Sequence, residues 1–278
     1  MATESGLDIA PSAVARYHAA AEELADEARR IVRAALDRGF TTEAKPDHSP
    51  VTSVDRAVED RWRELIGRWF PGHGVTGEEA PPSHPDSAFQ WILDPIDGTE
   101  EFVRGIPTYG CMLALHHRGA PVVGVIEHPG LDLRVTAAIG RGAYRNGARV
   151  RLPAEPPAGR REALRLVLSA RVNFVRHVDE GHLFEALTRT YPNHRIYRAA
   201  YAHTVVVTGA ADVMVDVQNH IWDVAPSRVL VEEAGGRFEL VRDVTAPDGD
   251  RILSAVFGQP RLVGEVAALF TAPGPAPR

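Results

Sequence analysis

The chain has 278 residues, enough for one large domain or two packed lobes around a buried core. With 44% hydrophobic and 24% charged residues it is not a disordered polymer, and a formal net charge of −6 argues against binding nucleic acid or an anionic membrane. No apolar run reaches the ~18 residues of a membrane span and no signal-peptide pattern opens the chain, so a cytoplasmic location is expected.

From Ser12 the apolar positions Val14, Tyr17, Ala21, Leu24, Ala28, Ile31 and Ala35 recur at steps of three and four. They predict one amphipathic helix, stopped by Gly39. Val58, Trp62, Leu65, Ile66 and Trp69 mark a second helix, ending at Pro71-Gly72. Residues 90–93 read as a short buried strand, with Pro95 expected to stop the sheet ladder. Further strands are predicted over 111–116, where Cys111 reads as a buried thiol in a reducing compartment, and over 122–126. Asn146-Gly147 marks a hairpin turn. The proline-rich stretch 153–159 is read as a boundary between an N-terminal lobe (1–153) and a C-terminal lobe (160–270), with a frayed tail at 271–278. In the second lobe, strands at 164–169, 213–216, 237–240 and 252–256 alternate with helices at 182–190, 201–208 and 224–233. Gly235-Gly236 stops the last helix. The mixture predicts an α/β or α+β layered sandwich.

The chemistry concentrates in Trp91-Ile92-Leu93-Asp94-Pro95-Ile96-Asp97-Gly98-Thr99. A strand followed by a turn places Asp94 near Asp97, and two such carboxylates repel unless a cation neutralises them. Oxygen ligands suit Mg²⁺, which keeps waters for a substrate phosphate, while Gly98 lets backbone amides approach an anion. Alone, the motif also reads as a polar turn. Three other segments admit similar pairs of readings. Glu78 in Gly77-Glu78-Glu79 is a solvated loop residue or a third carboxylate. Asp223 in Ile221-Trp222-Asp223 is a helix N-cap or a site residue. Asp55, after Lys45-Pro46-Asp47 and Ser49-Pro50-Val51-Thr52, favours a helix N-terminus or joins the site. These carboxylates gather with no evident Lys or Arg among them.

With these motifs in this order, the chain resembles the inositol monophosphatase superfamily of Mg²⁺-dependent phosphatases, from about Lys45 to Gly236. The resemblance implies an αβαβα sandwich, a homodimer and a small phosphorylated metabolite as substrate. It also implies two or three Mg²⁺ ions. Glu78, Asp94 and the Ile96 carbonyl would hold one; Asp94, Asp97 and Asp223 a second; a third would lie near Glu78. Asp55 and Thr99, with Glu78, would orient and deprotonate the attacking water, and the Gly98 and Thr99 amides would bind phosphate. No His, Cys or Ser nucleophile is then needed.

The wording of Lys45–Thr52 and of Phe102-Val103-Arg104-Gly105-Ile106-Pro107 is closest to the histidinol-phosphate phosphatases of that superfamily. Two departures stand out. Glu100-Glu101 replaces a common Lys-Asn, and Tyr197-Arg198-Ala199 replaces a small or acidic substrate-facing segment. Arg198 would bind a second anionic group, close the pocket, or simply face solvent. Asp216, read as ending its strand beside the metals, would select the leaving group and favour a protonated amine. Cyclitol phosphates, fructose bisphosphate and 3′-phosphorylated nucleotides are the alternative substrates, and a catalytically inactive ligand-binding relative is the alternative class.

Overall fold

The first helix, α1 (Pro11–Arg38), follows the expected stripe: Val14, Ala21, Leu24, Ala28 and Val32 are buried, and the Gly39 amide closes it on the Ala35 carbonyl. The computed structural model describes residues 8–46, 48–154, 161–246 and 249–271. Asp47, most of the proline-rich stretch at 153–159 and the tail beyond Thr271 lie outside the described residues. A hairpin of β1 (Thr42–Ala44) and β2 (Pro50–Thr52) leads into α2 (Ser53–Trp69). Asp55 and Thr52 form a reciprocal capping box, so α2 begins before its apolar stripe does.

Next come β3 (Gly74–Gly77), β4 (Phe89–Asp97) and the single-turn α3 (Thr99–Val103). After them β5 (Gly110–His117), β6 (Ala120–His128), β7 (Leu133–Ala138), β8 (Gly142–Arg145) and β9 (Ala148–Val150) run as an antiparallel meander. Strands β3 to β9 make one seven-stranded sheet in chain order, parallel only between β3 and β4. Asn146 and Gly147 take φ of 47° and 79° between paired Arg145 and Ala148, as the hairpin requires. Cys111 is fully buried in β5. Pro95 does not stop β4. The ladder to β5 slips after Asp94 and resumes at Asp97, so Pro95 sits in a bulge. On its other side β3 pairs only as far as Leu93, and the missing proline N–H deprives no partner.

The rest of the chain gives β10 (Leu166–Leu168), α4 (Gly181–Thr190), β11 (His194–Arg195), α5 (Ala199–Val207), β12 (Val213–Asn219) and α6 (Ile221–Glu233). It ends with β13 (Arg237–Thr245), β14 (Arg251–Gly258) and α7 (Pro260–Ala267). These strands form a five-stranded mixed sheet in the order β11-β10-β12-β14-β13. Two expectations need correction. Asp216 does not end its strand: β12 continues to Asn219 through an irregularity that begins at Asp216. Asp223 is not the N-cap of its helix: His220 is, and Asp223 is the third helical residue, returning to the His220 amide at 2.7 Å.

The layers are α1 and α2, the seven-stranded sheet, α5 and α6, the five-stranded sheet, then α4 and α7. This is the αβαβα sandwich the resemblance implies. Strand periodicity builds it: Met214 packs inward with α5 and α6, whereas Val213, Val215 and Val217 pack outward with α4 and α7. Helix α6 is apolar around most of its circumference because sheets cover it on two sides. Its approach to β6 depends on Gly124, where a Cβ would fall 2.6 Å from the Pro226 carbonyl oxygen. Gly124→Ala should therefore cost about 1–3 kcal/mol of stability, read by urea unfolding; an unchanged midpoint would refute that contact. Among the described residues no helix is long and apolar enough to cross a membrane.

Candidate active site

The end of β3, the β4–α3 turn, β12 and the first turns of α5 and α6 converge on a cleft of about 300 Å³. Glu78 follows β3, its amide bonded to the Leu93 carbonyl of the neighbouring strand at 3.2 Å. Buried Glu59 of α2 shapes this turn by accepting the amides of Glu79 and Ala80 at 2.9 and 3.1 Å. Gly77 has to be small, since a Cβ would sit 2.4 Å from Glu59 Oε1. The expectation of an all-acidic cluster is corrected at this point. Lys45 Nζ donates to Glu78 at 2.6 Å and Glu79 at 2.7 Å. Burial alone would lower the Lys45 ammonium, but those two charges hold it well above its usual value. Glu78 still lies above the ordinary carboxylate range, because burial outweighs the pull of Lys45.

Asp94 is buried, and its Oδ1 has no hydrogen-bond partner. Burial, then the charges of Glu78, Asp97 and Asp223, push its carboxyl far upward. Asp97 faces the cleft and is raised by the surrounding protein and by Asp223 and Asp216. Asp223 is pushed up to about 8 by burial and then by Glu78, against the His220 amide that favours its charged form. Glu78, Asp94, Asp97 and Asp223 all lie above the usual carboxylate range, and such an oxygen donor set suits a hard divalent cation. Among the described residues no three Asp, Glu, His or Cys side chains are already gathered into a group that would hold a metal ion. The donor chemistry fits Mg²⁺, while the ammonium of Lys45 stands on Glu78.

Beside them, Thr52 satisfies Asp55 Oδ2 through its amide and its hydroxyl, leaving Oδ1 for Thr99. The Thr99 hydroxyl lies 3.1 Å from Asp55 Oδ1 and 3.0 Å from the Ile96 carbonyl. Burial raises Asp55, opposed by the Thr52 hydrogen bonds. Gly98 starts α3 at φ 90°, and a Cβ there would meet the Ala199 Cβ at 2.6 Å. The turn at Gly98 thus abuts Ala199, the first residue of α5.

The two departures from the superfamily wording meet each other. Arg198 Nε lies 3.3 Å from Glu101 Oε1, and its NH2 lies 4.0 Å from Glu100 Oε2. The Arg198 side chain is 59% exposed, so the pair adds ~0–1 kcal/mol of stability; its consequence is the charge it presents. Asp216 is buried beside the cleft, bonded to Ser169 at 2.9 Å and lying 3.2 Å from His203 Nε2. Sequence reading missed Lys45, Ser169 and His203 as members of this site.

The inositol monophosphatase family model matches residues 14–266. A histidinol-phosphatase of Mycobacterium tuberculosis is 39% identical over 227 residues, covering 81% of this chain and 86% of that protein. A histidinol-phosphatase of Chlorobaculum parvum is 34% identical, covering 84% and 89%. Among solved structures, an inositol monophosphatase from Zymomonas mobilis superposes with a TM-score of 0.77 at 26% identity, covering 94% of this chain and 99% of the other.

Proposed function

The chain belongs to the inositol monophosphatase family and is a phosphatase, and we propose that its substrate is histidinol phosphate, hydrolysed to histidinol and phosphate. Arg198 carries the reading. Had its guanidinium faced the cleft alone, a bisphosphate would suit the site. Paired with Glu101 and Glu100, it leaves a cleft lined by Glu78, Asp97, Glu100, Glu101, Asp216 and Asp223 against Arg176 and Arg198. With Glu100 and Glu101 answered by Arg198, and Glu78, Asp97 and Asp223 proposed as Mg²⁺ ligands, Asp216 is the lining carboxylate left to favour a leaving group bearing a protonated amine.

Glu78, Asp94, Asp97, Asp223 and the Ile96 carbonyl are the groups proposed to hold Mg²⁺. When bound, the cations neutralise phosphate oxygens and lower the barrier to attack by water. The chain's own residues do the rest. The amides of Gly98 and Thr99 bind the phosphate at the start of α3. Asp55 Oδ1, held in place through Thr52, accepts the Thr99 hydroxyl proton and turns the Thr99 lone pairs toward water. Glu78 takes the water's proton. Asp216 faces the departing alcohol and binds the amine. A cytoplasmic homodimer is the assembly we propose, to be checked by light scattering.

Phosphate release measured with Mg²⁺ should rank histidinol phosphate first in kcat/KM over inositol 1-phosphate, fructose 1,6-bisphosphate and a 3′-phosphorylated nucleotide. Absence of turnover on histidinol phosphate would sink the substrate assignment while leaving the phosphatase in place.

A further inference from the structure

Asp216 is held on one oxygen and lightly attended on the other. Ser169 Oγ donates to Oδ1 at 2.9 Å and itself receives the Val217 amide at 3.1 Å. Oδ2 is buried and receives no well-directed hydrogen bond, although His203 Nε2 stands 3.2 Å away. The other ring nitrogen of His203, Nδ1, lies 2.6 Å from Ser227 Oγ, and the ring tilts over Phe257 at 5.3 Å between centroids. His203, Asp216 and Ser227 come from α5, β12 and α6 in turn, and Ser227 lies one turn beyond Asp223 on α6. Both His203 and Asp216 line the cleft, yet each side chain is more than nine-tenths buried.

A buried carboxylate with a single hydroxyl donor is costly, and the second donor fixes which way it faces. With Ser227 donating to Nδ1, a neutral ring carries its proton on Nε2, which stands 3.2 Å from Asp216 Oδ2 without the alignment of a directed hydrogen bond. A carboxylate oxygen accepts two hydrogen bonds, so Oδ2 keeps a lone pair for a donor entering from the cleft. We propose that His203 is a positioning residue for leaving-group selection, holding Asp216 so that Oδ2 receives the cationic donor of the substrate. The proposal rests on the reading of Asp216 given above. It adds that selection belongs to a Ser227–His203–Asp216 unit and not to one carboxylate.

The competing role for His203 is structural, a satisfied polar group filling the layer between the sheets. Steady-state kinetics at saturating Mg²⁺ on histidinol phosphate and on p-nitrophenyl phosphate separate the two. His203→Phe should raise KM for histidinol phosphate about ten-fold and leave kcat within about two-fold, with the aryl phosphate barely changed. His203→Gln, whose amide N–H can still reach Asp216, should recover most of that loss. The Asp216→Asn/His203→Phe double variant should lose no more than Asp216→Asn alone, because His203 acts through Asp216. Ser227→Ala leaves His203 in place but frees its ring, and carries the test should His203→Phe fail to fold. It should raise KM for histidinol phosphate by about two- to five-fold, with no effect on the aryl phosphate.

Equal losses on both substrates, additive losses in the double variant, or no effect of Ser227→Ala would overturn the positioning role. If Asp216→Asn is selective for histidinol phosphate and His203→Phe is not, the proposal alone fails. If Asp216→Asn spares histidinol phosphate, the reading of Asp216 fails beneath it.

Discussion

Chelation of divalent cations should abolish turnover, and re-added Mg²⁺ should restore it with an affinity that climbs as pH rises. The cause lies in the carboxylates. Burial and mutual repulsion raise Asp94 and Asp97 well above the usual carboxylate range and Asp223 to about 8. A carboxyl whose folded-state pKa is raised adds stability below its unfolded pKa and loses that stability as pH rises through its folded pKa. The metal-free protein should therefore weaken between about pH 4 and pH 8, the interval spanned by Asp223 unfolded and folded. A cation takes the place of those protons, so binding expels them. For each proton released, Mg²⁺ affinity rises about ten-fold per pH unit below the folded pKa. Calorimetry in two buffers of different ionisation heat counts the protons directly. The Mg²⁺-induced rise in melting temperature should be larger near pH 8 than near pH 6. Activity that survives chelator, or binding with no proton release, would remove the metal-site reading.

Much of the site was legible because its residues lie in short motifs at the ends of elements that announce themselves. An apolar strand that runs into Asp94 and a turn that carries Asp97 need no tertiary knowledge. What stayed hidden depends on chain return. Lys45 and Glu78 are joined only because the β1–β2 hairpin folds back over the end of β3. Pro95 looked like a strand terminator, yet the ladder resumes beyond it because β3 has already ended on that side. His203 lies in a helix buried around most of its length, where a lone histidine carries no periodic signal, and its partner Asp216 belongs to the next strand.

The departures at Glu100-Glu101 and Arg198 teach a related lesson. Read singly, an acidic pair beside a metal site and an arginine at a substrate-facing turn point in opposite directions. The first repels phosphate and the second attracts it. Packing of α3 against the start of α5 brings them together, and the charges answer each other. Sequence shows two oddities; structure shows one exchange of charge between two neighbouring segments. Glu101 also acts on Asp97, whose carboxyl it helps to raise, so an unpaired Glu101 would burden the metal site further.

Asp94→Asn and Thr99→Ala should both destroy most activity while differing in every other respect. Asp94 is buried, raised by burial and by four neighbouring carboxylates of the site, and carries an oxygen with no partner. Asp94 holds its proton in the metal-free protein and loses it only as pH rises through its raised folded-state value, whereas an amide of the same shape does not titrate, so stability of the metal-free variant should fall less steeply with pH than the parent's. Mg²⁺ affinity should fall by more than ~100-fold, beyond what removal of a group that merely supports a ligand costs, and turnover should fall with it. Thr99 donates its one hydroxyl proton to Asp55 Oδ1, with the Ile96 carbonyl also in reach, and contributes no charge. Thr99→Ala should leave Mg²⁺ affinity within about three-fold, while kcat drops by ~10²–10⁴, the range of positioned proton transfer. Its metal-free stability should keep the parent's dependence on pH, because no titrating carboxyl has been removed. Metal titrations followed by calorimetry, with melts of both metal-free variants, separate the roles. If Thr99→Ala loses Mg²⁺ as Asp94→Asn does, water activation and ligation are not divided between them. If stability of metal-free Asp94→Asn falls with pH as steeply as the parent's, Asp94 does not hold its proton as the electrostatic account of the site requires.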